Sequence, residues 1–122
     1  MENYILIQEE DFQKARNEIR KNPDKKIIFS GSDEMNRKVL EKEKIDVLLI
    51  KLGGRKDRIK QRNSGFNHVL AKLAQKKGVA IGISPDEIIN SDGKEKARIL
   101  ARLRQNVDIC KKNKLRMTFI RD

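Results

Sequence analysis

Five short apolar runs alternate with stretches of helical periodicity along this chain, and this alternation constrains its fold more than any other feature. Most of the runs are continuously apolar and rich in β-branched residues, a pattern typical of strands covered on both faces of a parallel sheet. Helices between such strands predict repeated βα units with right-handed crossovers. The runs span residues 4–7, 26–29, 45–50, 79–83 and 115–120.

Helical periodicity fills the intervals between the first four runs. Residues 9–21 and 33–43 each place their apolar side chains on one stripe, so a helix is expected in each segment. A third helix is expected to begin near Asn63 or Ser64 and to end at Gly78, because glycine readily adopts the left-handed conformation found at helix ends. Its predicted buried stripe consists of Phe66, Val69, Leu70 and Leu73.

Two further helices are predicted before the last apolar run. The segment from Ser84 to Glu87 has the pattern of a capping box with proline at the first helical position, which predicts a short helix to about Asn90. The longest helix is expected from Glu95 to about Asn113. Its predicted apolar stripe, which assigns the only cysteine to the core, consists of Leu100, Leu103, Val107 and Cys110.

The length of 122 residues is that of one domain, and we interpret residues 1–122 as a single α/β domain. Five strands are too few for the standard eight-stranded barrel, which takes about 250 residues. The predicted fold is therefore α/β, with repeated βα units around a parallel sheet that resembles an incomplete TIM barrel of about five strands. Open sheet edges have to be paired or covered, so a homodimer through those edges or another tight partner is expected.

Charge is the second constraint, because 29 Lys+Arg against 18 Asp+Glu give a formal net charge of +11 and favour a polyanionic partner. Positive charge is densest between residues 51 and 62, where Asp57 is the lone acidic residue. The basic residues there are Lys51, Arg55, Lys56, Arg58, Lys60 and Arg62. We predict that this loop binds RNA through its backbone phosphates.

The predicted start of the third helix adds hydrogen-bonding groups to the basic loop. Asn63, Ser64, Asn67 and His68 can donate to phosphate or 2′-hydroxyl groups, and the helix dipole favours an anion at that end. Aromatic residues make up only 4% of the chain, which argues against recognition by base stacking and favours folded RNA or a duplex backbone.

A second basic surface is predicted on the longest helix and just after it. The alternative interpretation is that these residues only balance nearby acids and solvate the helix. The residues are Lys94, Lys96, Arg98, Arg102 and Arg104, followed by Lys111, Lys112, Lys114 and Arg116.

An enzymatic site is harder to assemble from this sequence. Metal catalysis needs several convergent ligands, and the chain has one histidine and few acids near strand ends, so no metal, cofactor or catalytic residue is predicted. Gly53-Gly54 lacks the remainder of a phosphate-binding loop. Ser64 and His68 stand four residues apart without an obvious third member of a triad, and His68 is interpreted as a hydrogen-bonding residue on a helix face.

The cysteine content and the start of the sequence predict the cellular compartment. A single cysteine allows no intrachain disulfide and no cysteine-built zinc site, which indicates a reducing interior. The start M-E-N-Y-I-L-I has no long apolar segment, so neither a signal peptide nor a membrane span is predicted. We expect a cytoplasmic protein without a membrane partner.

The second half of the sequence resembles a known family. The segments that carry the resemblance are G-R-K-D-R-I-K-Q-R-N-S-G-F-N-H-V-L-A-K-L-A, then V-A-I-G-I, then E-K-A-R-I-L-A-R-L-R-Q-N. They are similar to ribonuclease P protein component three of archaea and eukaryotes, over about residues 45–122. The matching positions in the loop and helix start are Gly54, Arg55, Lys56, Asp57, Asn63, Ser64, Gly65, Asn67, His68, Val69 and Leu70.

The resemblance implies a TIM-like barrel and a noncatalytic role. In that family the RNA subunit removes the 5′ leader from precursor tRNA, so the enzyme is ribonuclease P while the protein supports the RNA and pairs with a small ferredoxin-like subunit. Family members run to nearly twice this length, which implies that this chain holds only part of the barrel. A self-standing phosphoesterase or nuclease on the same scaffold is the alternative, and a module that binds an acidic protein is a third interpretation.

Overall fold

A computed structural model describes residues 3–57 and 63–121 of the chain. Five strands and five helices are found within those residues. In chain order they are β1 (Tyr4–Gln8), α1 (Phe12–Lys21), β2 (Lys26–Ser30), α2 (Asp33–Lys42), β3 (Val47–Leu49), α3 (His68–Lys77), β4 (Ala80–Ile83), α4 (Pro85–Ile89), α5 (Gly93–Lys112) and β5 (Met117–Phe119).

The strands form one parallel sheet in the order β1-β2-β3-β4-β5, which confirms the predicted sheet of repeated βα units. Each strand pairs with the next strand along the chain, for example Leu6 with Ile28, and Val47 with Ala80. Every βα unit therefore adds its strand to the same side of the preceding one, as in a TIM barrel. The sheet remains open, with β1 and β5 at its two edges.

The two faces of the sheet are covered differently. On one face Phe29, Leu48 and Ile81 pack with buried side chains from the helices, such as Val39 and Ala74, in the main core. Residues of the other face form a separate small cluster, to which no helix of residues 3–57 and 63–121 contributes. Its members are Ile28, Val47, Leu49 and Ala80, with Ile120 packed against them. Parallel strands are usually buried on both faces, so this second face is suited to a further protein layer.

Helix α3 begins at His68, so the prediction of a start at Asn63 or Ser64 was wrong. Gly65 interrupts the segment with a φ of +74°, and a side chain there would overlap the guanidinium of Arg55. Asn67 is the actual N-cap, with its side-chain oxygen accepting from the Leu70 N–H at 2.9 Å. The predicted end at Gly78 is confirmed, with a left-handed φ of +70°.

The predicted buried stripes on the helices also need correction. Val69 is 68% exposed, and small residues of α3, Ala71 and Ala74, are buried instead. On α5, Leu100 is 45% exposed, and the buried residues are Ile99, Arg102, Asn106, Ile109 and Cys110. The buried face is rotated by about one residue because two polar side chains, Arg102 and Asn106, turn inward to bond backbone carbonyls.

The short helix α4 forms as predicted, but its capping box does not. Ser84 makes no side-chain hydrogen bond at the helix start. The Glu87 carboxylate points across the structure and accepts from the backbone of the loop after β3. Within the described residues, no helix is long and apolar enough to cross a membrane.

Candidate nucleic-acid interface

The basic loop begins directly after β3, at the carboxyl end of the sheet where α/β folds usually place their ligands. Its backbone is held by two carboxylates from α4 and α5. Glu87 accepts from the N–H groups of Leu52, at 2.9 Å, and Gly53, at 3.3 Å. Glu95 accepts from the N–H of Gly54 at 3.2 Å.

A buried arginine on α5 bonds the loop backbone from the protein interior. Arg102 on α5 is 1% exposed, and its guanidinium donates to the carbonyls of Leu52 at 2.8 Å and Arg55 at 2.7 Å. It also lies 3.4 Å from Asp57 and 4.0 Å from Glu95. Burying a cation is unfavourable unless it is paired and hydrogen-bonded, and these contacts meet both needs. We call Glu87, Glu95 and Arg102 the loop clasp.

Arg55, predicted to contact RNA, is mostly engaged within the protein. Its side chain is 13% exposed, with Nη1 2.9 Å from Oδ2 of Asp33 at the start of α2. Nε donates to the Lys51 carbonyl at 2.6 Å, and Nη1 also lies 3.4 Å from Oδ1 of Asn63. Arg55 therefore ties the loop to α2 and to the segment that precedes α3.

Asn63 and Ser64 lie in the same network. The Asn63 N–H donates to the Asp57 carboxylate at 2.7 Å, and the Asn63 side chain accepts from the Gly65 N–H at 3.3 Å. Ser64 is buried, donates to the Phe66 carbonyl at 3.3 Å and accepts from the Gln105 side chain at 3.0 Å. Both residues support the shape of the loop from inside the protein.

Two of the predicted contact residues stand at the start of α3. Asn67 and His68 are both exposed. His68 Nδ1 lies 3.0 Å from the side-chain nitrogen of Asn113, which also donates to the Ile109 carbonyl at 2.8 Å. Because an amide nitrogen can only donate, Nδ1 is the acceptor, and the neutral ring carries its proton on Nε2. That N–H is a hydrogen-bond donor beside an exposed helix N-terminus.

The structure thus brings some of the predicted residues to the surface and uses others as supports. Lys51 and Lys56 are exposed with Asn67 and His68. Arg58, Lys60 and Arg62 lie outside the described residues. A groove of about 1000 Å³ adjoins the start of α3 and is lined by residues of α2, of 63–70 and of α5, among them Arg37 and Lys112.

The second basic surface on α5 is smaller than predicted, since Arg102 is buried in the loop clasp. Arg98 is exposed and lies 3.8 Å from Glu95, and Lys96 is half-buried. The remaining members are exposed, namely Lys94, Arg104, Lys111, Lys112, Lys114 and Arg116.

Two kinds of catalytic group, a metal site and a cysteine nucleophile, can be checked in the part of the chain described. Residues 3–57 and 63–121 contain no group of three or more His, Cys, Asp or Glu side chains placed to hold a metal ion. Burial raises the pKa of the Cys110 thiol to about 11, so it is protonated at neutral pH and is a poor nucleophile.

The supporting residues were missed by sequence reasoning. Glu87 was interpreted as a capping residue and Arg102 as part of a basic surface. The Asn106 side chain, which was not singled out, donates to the Ser64 carbonyl at 3.1 Å. The one available signal was position, because Ile99, Arg102 and Asn106 lie three and four residues apart, on one helix face.

Comparison with known proteins identifies relatives of this chain. It is 36% identical over 93 residues to ribonuclease P protein component 3 of Methanosarcina acetivorans, covering 76% of this chain and 36% of the relative. It is 34% identical over 111 residues to the same component of Methanocaldococcus jannaschii, covering 88% of this chain and 45% of the relative. No family model matches the chain.

A solved structure agrees with these relatives. A chain in the cryo-EM structure of archaeal ribonuclease P with mature tRNA superposes with a TM-score of 0.76 at 27% identity, covering 98% of this chain and 52% of that one. The chain thus spans about half the length of that protein chain, and its alignments cover 36% and 45% of the two sequence relatives. The resemblance found in the sequence is confirmed. Over the aligned residues, the chain is a relative of ribonuclease P protein component 3.

Proposed function

We propose that this chain acts as a noncatalytic RNA-binding subunit of ribonuclease P, supporting a catalytic RNA that removes the 5′ leader from precursor tRNA. The observation that carries the proposal is the basic loop after β3, in which the loop clasp bonds the backbone of residues 52–55. A backbone held there presents the neighbouring charges of Lys51 and Lys56 to a phosphate backbone at a lower cost in ordering entropy. The solved relative comes from an archaeal ribonuclease P with mature tRNA, which favours ribonuclease P RNA and tRNA as partners.

Two roles are proposed within the interface. Arg55, Asn63 and Ser64 position the loop through the bonds described above. The residues proposed to contact RNA directly are Lys51, Lys56, Arg58, Lys60, Arg62, Asn67 and His68. The direct contacts are charges and donors that address phosphate and ribose, so the interface is expected to read shape more than sequence.

A self-standing nuclease is less well supported. Ser64 and His68, which could in principle have paired, bond to different partners, since Ser64 contacts Phe66 and Gln105 while His68 contacts Asn113. A nuclease would cleave RNA by itself and lose that activity with chelator, whereas a supporting subunit is inert alone.

A protein partner is part of the proposal, because the sheet has open edges and an apolar second face. At the β1 edge Tyr4 and Leu6 are exposed, and at the β5 edge Phe119 is 66% exposed. We propose that the open edges and the apolar second face of the sheet bind the small ferredoxin-like subunit of ribonuclease P. The cytoplasm is the proposed location, in keeping with the single cysteine.

A second copy of the chain is the other proposed occupant of the edges. A twofold axis along the barrel axis would place β5 of each copy beside β1 of the other, so one symmetry operation pairs both edges. Light scattering at micromolar concentration is expected to give twice the 14.2 kDa mass of the chain. A monomer at that concentration would remove the homodimer and leave the small subunit as the proposed partner.

The function is tested by 5′ leader cleavage of precursor tRNA by the cognate ribonuclease P RNA at limiting magnesium, with the protein and its small partner subunit added or omitted. We expect stimulation that is lost in a Lys56→Ala, Lys60→Ala, Arg62→Ala variant. A matched control removes three exposed lysines elsewhere, through Lys25→Ala, Lys72→Ala and Lys76→Ala, and should retain most of the stimulation. Cleavage by the protein alone would establish the nuclease instead.

A further inference from the structure

A further concentration of positive charge lies between α1 and α2, apart from the loop after β3 and from the basic surface of α5. Three cations surround the ring of Phe12, with Arg16 at 4.8 Å, Lys38 at 5.2 Å and Lys42 at 5.8 Å from its centroid. Each cation is attracted to the negative face of the ring. The cations also repel one another, so their gathering needs a further explanation. We call Phe12, Arg16, Lys38 and Lys42 the Phe12 cluster.

The one carboxylate that pairs with this cluster is already fully used. Glu43 has a side chain 3% exposed, and its two oxygens accept from Arg16 at 3.1 Å and from Arg20 at 3.1 and 3.2 Å. Within residues 3–57 and 63–121, Lys38 and Lys42 form no ion pair with a carboxylate. The ion pairs in this region therefore join two arginines to one glutamate, while the two lysines have no carboxylate within 4.0 Å among the described residues.

The two lysines of the cluster share the face of α2 that lies toward Phe12 on α1. On the neighbouring exposed face, Arg37 and Glu41 pair at 3.0 Å. At the helix start, Asp33 holds Arg55 of the loop at 2.9 Å. At about 100° per residue, Lys38 and Lys42 lie about 140° and 180° around the helix from Asp33, so the cluster is on a separate face from the loop contact.

We infer that the Phe12 cluster binds the phosphodiester backbone of folded RNA, as a contact separate from that of the basic loop. Lys38 and Lys42 contact the phosphates, and the Phe12 ring positions their ammonium groups. Because cations lie around the ring, it is not offered for base stacking, and the contact is expected to be independent of sequence. The inference rests on the proposed function, since it assumes that RNA is the polyanion.

The test compares two double variants with the same loss of charge and the same spacing on a helix. Lys38→Ala with Lys42→Ala removes the cluster lysines. The control, Lys72→Ala with Lys76→Ala, removes two exposed lysines on α3. A fluorescent transcript of the cognate ribonuclease P RNA is titrated with each variant of the 122-residue chain between about 50 and 200 mM salt.

The expected result is a flattening of the log-affinity against log-salt slope by about 1.4 to 1.8 for the cluster variant, at about 0.7 to 0.9 per phosphate contact. The control is expected to change the slope by less than half that amount. Equal changes in the two variants would overturn the inference. Failure of the proposed function and failure of this inference give different results. A wild-type protein without salt-dependent RNA binding refutes the proposed function. A salt slope that changes only when the basic loop is mutated refutes the role of the Phe12 cluster alone.

Discussion

The loop after β3 and the Phe12 cluster are both rich in positive charge, but their charges are engaged differently. In the loop region, two of the arginines are committed to the protein, since Arg102 bonds the carbonyls of Leu52 and Arg55, and Arg55 bonds Asp33. In the Phe12 cluster, Lys38 and Lys42 contact a ring and have no carboxylate partner within the described residues. The number of basic residues in a segment therefore does not measure its binding surface, because some of them build the surface that the others use.

The largest effect is expected from Arg102→Ala. The change leaves two loop carbonyls without their donor, and an unsatisfied buried polar group costs about 1 to 3 kcal/mol. We expect the free energy of unfolding, measured by urea denaturation, to fall by about 2 to 4 kcal/mol after partial relaxation. Arg104→Ala on the exposed side of the same helix should change it by less than about 0.5 kcal/mol. Similar values for the two variants would contradict the structural role assigned to Arg102.

A smaller effect is expected from Glu87→Ala, which removes the acceptor of the Leu52 and Gly53 N–H groups. Water can reach part of this site, so the loss of stability is expected to be about 1 to 2 kcal/mol. RNA affinity should also fall although Glu87 is an acid, because the loop is less ordered. Asp86→Ala, on the same turn of α4, is the control. Higher RNA affinity after Glu87→Ala would show that simple charge repulsion outweighs loop support.

The next effect concerns the helix that carries His68. Asn67→Ala removes the side-chain oxygen that accepts from the Leu70 N–H, and losing such a cap costs about 1 kcal/mol. Thermal unfolding should detect the loss, and Asn67→Ser should restore most of it because serine also caps helices well. An unchanged melting temperature in Asn67→Ala would mean that α3 is not stabilised by this cap.

The smallest effect on stability is expected in the Phe12 cluster. Replacing Lys38 and Lys42 by alanine removes two weak ring contacts together with the repulsion between the cations. These contributions oppose each other, so the free energy of unfolding should change by less than about 0.5 kcal/mol. A large loss in urea denaturation would place these lysines with Arg102 as structural residues and remove the contrast between the two regions.

The sequence predicts the strands and the parallel sheet well because short, continuous apolar runs carry their own signal. It fails where a distant contact decides the outcome. Asn63, Ser64 and Asn67 are all suitable helix caps, and the left-handed turn at Gly65 against the Arg55 guanidinium places the start at His68. Nothing local distinguishes these choices.

The same limit explains the candidate site. The basic composition of the loop is visible in the sequence, and so is its resemblance to a ribonuclease P protein. The burial of Arg102 is not visible, because its partners Leu52 and Arg55 lie about fifty residues earlier in the chain. A charged residue on a helix is ordinarily exposed, and the buried position is favourable here because two carbonyls need a donor and the carboxylates of Asp57 and Glu95 lie nearby.

The salt dependence of RNA binding tests the central claim most directly. Binding of the ribonuclease P RNA transcript is measured for the wild type, for the Lys56, Lys60, Arg62 triple-alanine variant, and for the Lys25, Lys72, Lys76 triple-alanine control. If the loop neutralises phosphates, its variant should flatten the log-log slope by about two to three units while the control changes little. A slope unchanged in the loop variant, or equally reduced in the control, would show that the basic loop is not the RNA-binding surface.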